Sequence, residues 1–169
     1  MPIIRHAMPG DLPALIRLES ACFPPAEAAT KEALSARLAA YPNHFWLLFL
    51  FPDAVCGEEA TLASFVDGFC TDCADLEDWM YEDATGHDES GRWQMIFGVN
   101  THPAYRRRGF AGALLRTAIE EARTDGRAGL VLTCKQALIP WYASFGFACE
   151  GLSASVHGAV SWYQMRLTF

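Results

Sequence analysis

Three consecutive arginines precede a glycine in the middle of the chain, in the segment Arg106-Arg107-Arg108-Gly109-Phe110-Ala111-Gly112. A predicted strand passes into a predicted helix at this point. Backbone N–H groups at a helix N-terminus are unpaired, and the helix dipole makes that end positive. Gly109 lets a ligand approach the backbone closely, while Ala111 and Gly112 keep the first helical turn thin. The segment therefore predicts a binding turn for a pyrophosphate.

The glycine pattern of this turn narrows the choice of ligand. An ATP-binding loop has the pattern G-x-x-x-x-G-K-[ST], which is absent, and the single Gly109 does not supply the G-x-G-x-x-G pattern of dinucleotide sites. Coenzyme A is the remaining common pyrophosphate ligand. The alternative interpretation is a surface arginine run that opens an ordinary helix.

The hydrophobic pattern predicts the elements that must hold this turn. Residues 93–101 form the predicted strand before it, and residues 106–123 the amphipathic helix after it, which Asp125-Gly126 closes. The other predicted elements are strands over 2–7, 44–51, 61–69, 130–133, 147–156 and 160–168, and helices over 12–21, 30–40 and 138–145. This order predicts a mixed α/β fold with a mixed sheet that helices cover.

Two connections in the first half of the chain have distinct compositions. Pro52-Asp53 and Gly57 predict the turn of an antiparallel hairpin between the strands at 44–51 and 61–69. Residues 70–92 are rich in aspartate and glutamate and show little periodicity, so we expect a loop with one helical turn at most. Such a loop is either functional or a solvated acidic excursion.

Length and composition set the broad class. A chain of 169 residues with 51% hydrophobic residues can form one domain with a sizeable core, so residues 1–169 are predicted to be a single domain. The longest apolar run, residues 45–51, is far shorter than the roughly 20 residues of a membrane-spanning helix. With no leader pattern at the amino terminus, we expect a cytoplasmic protein without a membrane partner.

Cysteines and net charge exclude further classes of partner. The six cysteines are dispersed, which indicates free thiols, and no second pair accompanies Cys70-x-x-Cys73 to complete a zinc site, so no metal is expected. The net charge of −7 argues against nucleic acid and favours a cationic ligand.

The turn and its surroundings resemble the GNAT acetyltransferases. Arg106-x-x-Gly109-x-Ala111 matches the acetyl-CoA signature [RQ]-x-x-G-x-[GA], and the Ile-Arg-x-Ala-x-x-x-Asp pattern of residues 4–11 also agrees with that family. The resemblance implies a central, mostly antiparallel sheet with a splayed parallel pair, flanked by helices. It also implies acetyl-CoA as cosubstrate and no metal. By this resemblance the cofactor contacts come from Val99, Asn100, Thr101, Arg106, Arg107, Arg108, Gly109, Phe110, Ala111 and Gly112.

Within the family, residues 134–147, CKQALIPWYASFGF, resemble the Cys-x-x-Ala-Leu-x-Pro-[FW]-Tyr-x-x-Phe-x-Phe segment of arylalkylamine (serotonin) N-acetyltransferases. The resemblance runs with gaps from about Ile4 to Met165. It implies that Tyr142 is the general acid and that the acceptor is a small primary amine. The alternative for Tyr142 is an aromatic residue packed in the core.

One motif of those enzymes is missing. They carry a His-x-His pair that helps to remove the proton of the amine, and the aligned residues here are Met95 and Phe97. An alkylamine has a pKa near ~10.4, so some base must act. Glu27 and Asp67 are the candidates; the alternatives are a solvated charge at a helix start for Glu27 and a strand-end residue paired with backbone or solvent for Asp67.

The remaining expectations concern the acceptor and the alternatives to this activity. Phe23 and Pro24 are predicted to line the acceptor pocket, and Asp67 is predicted to contact the amine there. N–H groups near Gly98 and Val99 are predicted to stabilise the oxyanion. Other acceptors remain open: a polyamine, an amino acid or a protein amino terminus. So does a sensor that binds acetyl-CoA without turnover. The oligomeric state is a monomer or a homodimer.

Overall fold

The computed structural model describes residues 1–52 and 60–169, and its chain divides into two compact units. The first contains residues 1–67 and 98–118, and the second residues 68–97 and 119–169. Asp53 and Gly57 of the predicted hairpin turn lie outside the described residues.

The first unit is built on a four-stranded antiparallel sheet in the order β1-β2-β3-β6. Its strands are β1 (Pro2–His6), β2 (Phe45–Leu50), β3 (Thr61–Asp67) and β6 (Gly98–Thr101). Helix α1 (Leu12–Cys22) packs against β3 and β6, and helix α2 (Lys31–Ala40) packs against α1. The side chain of Thr30 caps α2 by accepting the N–H of Ala33 at 3.1 Å.

The second unit is built on a five-stranded sheet in the order β4-β5-β7-β9-β8. Its strands are β4 (Cys70–Thr71), β5 (Trp93–Ile96), β7 (Gly129–Cys134), β8 (Ala148–Leu152) and β9 (Tyr163–Thr168). Its short helices are α3 (Trp79–Glu82) and α5 (Ile139–Ala143). Among the described strands, β5 and β7 are the one parallel pair. The predicted mixed α/β fold with helices on antiparallel strands and a parallel pair is confirmed.

The strand predicted over residues 93–101 is two strands that belong to different sheets. β5 ends at Ile96 and β6 begins at Gly98, with Phe97 between them. The hydrophobic pattern continues through this point, so it could not reveal the change of sheet. The amphipathic helix, α4 (Phe110–Thr124), begins four residues later than its pattern predicted, because residues 106–109 form the turn.

Aromatic residues fill the core of the first unit. Phe45 lies between Tyr41 and Phe65, with ring centroids 6.0 and 6.4 Å apart, and all three side chains are buried. Such burial of large apolar groups is the main stabilising contribution to a sheet of this kind. Over residues 1–52 and 60–169, no helix combines the length and apolar character needed to cross a membrane.

Candidate active site

The turn before α4 has an unusual backbone. Arg107, with φ of 63°, and Gly109, with φ of 79°, both occupy the left-handed region. A non-glycine residue rarely adopts this conformation, and successive N–H groups in such turns form an anion-binding concavity. The chain from Arg106 to Gly109 is exposed, and Gly109 accepts the N–H of Ala113 to begin α4. The turn thus presents backbone donors and positive charge to solvent at a helix N-terminus.

Two of the three arginines are held by neighbouring groups. The Nε of Arg106 donates to the carbonyl of Thr101 at 3.3 Å, which ties the turn to the end of β6. The guanidinium of Arg108 lies 5.4 Å from the ring centroid of Tyr105. These contacts restrict the arginine side chains and reduce the entropy that anion binding would cost.

Strand β6 is the outer strand of its sheet and pairs with β3. A Cβ on Gly98 would lie 2.7 Å from Oδ1 of Asp67 and 3.2 Å from Nδ2 of Asn100, so those side chains occupy the space that any larger residue would need. Asn100 is fully buried, whereas Val99 and Thr101 are half-buried. The predicted cofactor-binding residues of β6 therefore point alternately into and away from the interior of the first unit.

A buried residue of α1 contacts the interior side of β6 and is a functional candidate that the sequence analysis did not identify. Glu19 of α1 is 5% exposed; its Oε1 accepts the N–H of Ala29 and its Oε2 the side-chain amide of Asn100, both at 2.9 Å. Burial, helped by the charge of Asp67, raises the pKa of the Glu19 carboxyl to about 7, although both hydrogen bonds and Arg37 oppose the rise. A carboxyl with a pKa near neutrality is a frequent feature of functional sites.

A signal for Glu19 was present in the helix pattern. Leu12, Leu15 and Ile16 mark the apolar face of α1, and the next position of that face is 19, where a glutamate stands. Arg37 occupies the equivalent place in α2, between the buried Leu34 and Leu38. A charged residue on a buried helix face predicts a buried polar partner.

Asp67 of β3 is also buried in the interior of the first unit, near Glu19. It is 1% exposed, and its Oδ2 accepts from Nη1 of Arg37 at 3.0 Å. Burial raises the pKa of the Asp67 carboxyl, and the ion pair opposes that rise. Asp67 ends β3, as the alternative described, but its carboxylate is paired with a buried arginine and with the backbone of Gly98, and solvent does not reach it. Direct contact between Asp67 and an amine stays a prediction, which this burial disfavours.

The predicted acceptor segment connects α1 to α2. Phe23 is half-buried and Pro24 exposed, and the carbonyl of Pro24 accepts the N–H groups of Glu27 at 2.9 Å and Ala28 at 3.0 Å. Glu27 is 8% exposed and lies before the cap of α2, so it is not the solvated charge at a helix start that the alternative described. The turn, β6 and this segment all belong to the first unit.

Tyr142 lies in α5 of the second unit. It is 5% exposed, and its ring meets those of Trp141 and Phe147 edge to face, at 4.8 and 6.0 Å. Burial raises the pKa of the phenol, and nearby Cys134 and Tyr81 add to the rise. Tyr142 is therefore a neutral hydrogen-bond donor at physiological pH.

The acidic segment is more ordered than its sequence predicted. It contains β4 and α3, which includes the expected helical turn. Asp78 accepts from the Oγ of Ser155 at 2.5 Å and from the N–H of Val156 at 3.0 Å, and Arg166 pairs with Asp75 at 2.7 Å. These contacts attach the segment to the last part of the second unit.

Comparison with known proteins identifies the family of this chain and gives structures with a similar fold. The model of the acetyltransferase (GNAT) family matches residues 12–147. Serotonin N-acetyltransferase of Macaca mulatta is 28% identical over 178 aligned positions, which cover 96% of this chain and 80% of that protein. The loading GNATL domain of CurA from Lyngbya majuscula has a TM-score of 0.81 at 16% identity, covering 99% of this chain and 98% of that one. The GNAT-like decarboxylase GphF, in complex with isobutyryl-CoA, has a TM-score of 0.75 at 22% identity and 98% coverage of both chains.

The two structural likenesses show the fold, and the family match spans most of the chain. The protein belongs to the acetyltransferase (GNAT) family and is an acetyl-CoA-dependent N-acetyltransferase.

Proposed function

We propose that this protein transfers the acetyl group of acetyl-CoA directly to a small primary amine, within a ternary complex, and that arylalkylamines are the acceptor class. The turn before α4 carries the proposal. Its left-handed residues Arg107 and Gly109 and its exposed arginines suit the pyrophosphate of coenzyme A. Phe110, Ala111 and Gly112 supply the N–H groups of the first helical turn.

Residues of the first unit have three roles in this proposal. Val99, Asn100 and Thr101 offer the backbone of an outer strand to the pantetheine arm. Phe23 and Pro24 form part of the acceptor site. Glu27 takes the proton of the ammonium group, because an amine with a pKa near ~10.4 attacks a thioester only after losing that proton.

Tyr142 is the proposed proton donor to the departing thiolate. Its raised pKa keeps it protonated at neutral pH, so it donates to a developing negative charge. The likeness of residues 134–147 to the arylalkylamine enzymes supports this role and the acceptor class. The 28% identity to a serotonin N-acetyltransferase gives the acceptor class further support.

An acceptor screen tests the activity. Release of free coenzyme A from acetyl-CoA is measured with arylalkylamines, polyamines, amino acids and peptides, and cofactor binding is followed by calorimetry. Turnover with arylalkylamines above all other classes is the expected result. Turnover with another class of amine would show that the acceptor belongs to that class. Tight binding of acetyl-CoA without turnover of any acceptor would favour a sensor.

Two glycines give a matched test of the binding turn. Gly109 and Gly126 both have a left-handed backbone, with φ of 79° and 73°, and neither has a heavy atom within 4 Å of an added Cβ. Alanine at either position costs about 1–2 kcal/mol of stability through the same backbone strain. We expect Gly109→Ala to weaken acetyl-CoA binding about tenfold or more, and Gly126→Ala to leave it unchanged. If the two variants bound acetyl-CoA with equal affinity, the assignment of the pyrophosphate site to this turn would be wrong.

A further inference from the structure

Glu19 connects two segments that the proposed reaction needs. Its Oε1 accepts the N–H of Ala29, and its Oε2 accepts from Nδ2 of Asn100. Ala29 follows directly on the segment that carries Phe23, Pro24 and Glu27, whereas Asn100 lies within β6. One buried side chain of α1 thus joins the predicted acceptor segment to the predicted cofactor strand, and all of these residues belong to the first unit.

This double connection depends on the charge of the carboxylate. An ionised carboxylate accepts through both oxygens, whereas a protonated carboxyl converts one of them into a hydroxyl donor. In the orientation that the structure gives the Asn100 amide, Glu19 faces two donors, the N–H of Ala29 and Nδ2 of Asn100, so neither group accepts a hydrogen bond from that hydroxyl. A proton on Glu19 therefore weakens one of the two connections.

The charged and titratable groups around Glu19 set the balance between its two forms. Asp67 of β3 and Arg37 of α2 act on its carboxylate, and the Cys22 thiol on α1 senses the Glu19 charge. Burial is the main cause that favours a proton on Glu19, and the charge of Asp67 adds to it, whereas Arg37, which pairs with Asp67, opposes it. These effects together raise the pKa of the Glu19 carboxyl to about 7.

We propose that Glu19 is a positioning residue that, when ionised, holds the acceptor segment of residues 23–29 in place beside strand β6, and that its protonation releases one of these two elements. The assignment of acceptor and cofactor to these elements rests on the proposed function. The hydrogen bonds themselves do not, so the two ideas can fail separately.

Nuclear magnetic resonance tests the connection directly, without any substrate. The backbone amide of Ala29 and the side-chain amide of Asn100 are followed between about pH 5.5 and about pH 8.5. Both should shift with one shared midpoint near neutrality, and both should lose this titration in Glu19→Gln. Glu32→Gln, an exposed substitution on α2, should leave it intact. Separate midpoints, or a titration that persists in Glu19→Gln, would overturn the proposal.

Coenzyme A binding tests the consequence for the site. Calorimetry at about pH 6 and about pH 8 gives the affinity ratio of the wild-type protein to Glu19→Gln, and this ratio cancels the titration of the ligand itself. We expect the ratio to rise several-fold with pH, whereas the ratio of the wild-type protein to Glu32→Gln stays constant. A ratio that stays constant with pH for coenzyme A affinity, together with a pH-independent ratio of the acceptor's KM between the same two proteins, overturns the proposal, because protonation then releases neither element.

Discussion

The binding turn before α4 and the buried cluster of Glu19, Arg37, Asp67 and Asn100 lie in the same unit but use charge in different ways. The turn is exposed, and the contacts of Arg106 with Thr101 and of Arg108 with Tyr105 are local in the chain. The cluster is buried and joins four elements, with Glu19 and Asn100 81 residues apart. The charges of the turn are available to bind a ligand, whereas the charges of the cluster are engaged in ion pairs and hydrogen bonds within the protein.

This difference separates the expected effects of substitutions. Exposed charges are hydrated and screened, so removing a charge from the turn should alter ligand affinity and cost little stability. Buried charges are desolvated and depend on their partners, so a change in the cluster should alter stability and its dependence on pH. The following substitutions test that division, beginning with the largest effect.

Asp67→Ala should give the greatest loss. It leaves the buried guanidinium of Arg37 without the carboxylate at 3.0 Å, and removing one partner of a buried ion pair costs about 3–5 kcal/mol. Urea unfolding measures the loss. Asp11→Ala is the matched control, because Asp11 pairs with Arg5 at 2.7 Å but Arg5 is one-third exposed; its cost should be about 1 kcal/mol. Similar losses for both variants would contradict the special status of the buried pair.

The contrast between the two regions also explains what the sequence could predict. The turn is local: its glycine, its arginines and the following helix are adjacent in the chain, and the pattern identified them together. The cluster is assembled by folding, so Glu19 was not recognised, although it stands on the apolar face of α1. The change of sheet at Phe97 was hidden for the same reason, since strand pairing is a long-range property that periodicity does not encode.

Tyr142→Phe tests whether the buried hydroxyl of Tyr142 contributes to catalysis and not to stability. The variant keeps the ring contacts with Trp141 and Phe147 and loses only the hydroxyl. We expect kcat to fall about 100-fold through loss of the proton donor, with acetyl-CoA affinity and the free energy of unfolding nearly unchanged. Steady-state kinetics and calorimetry measure these effects. A large loss of stability or affinity with kcat retained would make Tyr142 a packing residue.

Glu19→Gln should change the pH dependence of stability. The folded-state pKa of about 7 lies above the ordinary value of 4.5, so the folded protein binds the proton more tightly than the unfolded chain. The stability from this proton is fully present below about pH 4.5 and is lost as the pH rises through about 7. Between about pH 5 and about pH 8, wild type should therefore lose on the order of 2–3 kcal/mol relative to the Gln variant.

Unfolding experiments at several pH values measure this difference. Glu32→Gln provides the control, because Glu32 is exposed on α2. The curve of stability against pH for this variant should run parallel to that of wild type. Parallel curves for Glu19→Gln and wild type would mean that the Glu19 carboxyl titrates at an ordinary pKa. The buried cluster would then share the pH-independent behaviour expected of the turn.

The smallest effect should come from the strained backbone at Arg107. Arg107→Gly and Arg107→Ala remove the same positive charge, but only glycine adopts a φ of 63° without strain. The glycine variant should be more stable than the alanine variant by about 1 kcal/mol, because strain relief exceeds the entropy that glycine adds to the unfolded chain. Thermal unfolding measures this gap. Both variants should bind acetyl-CoA several-fold more weakly than wild type and equally to each other, since they share the lost charge. If instead alanine bound much more weakly than glycine, the left-handed backbone at Arg107, more than its charge, would be the feature that recognises the pyrophosphate.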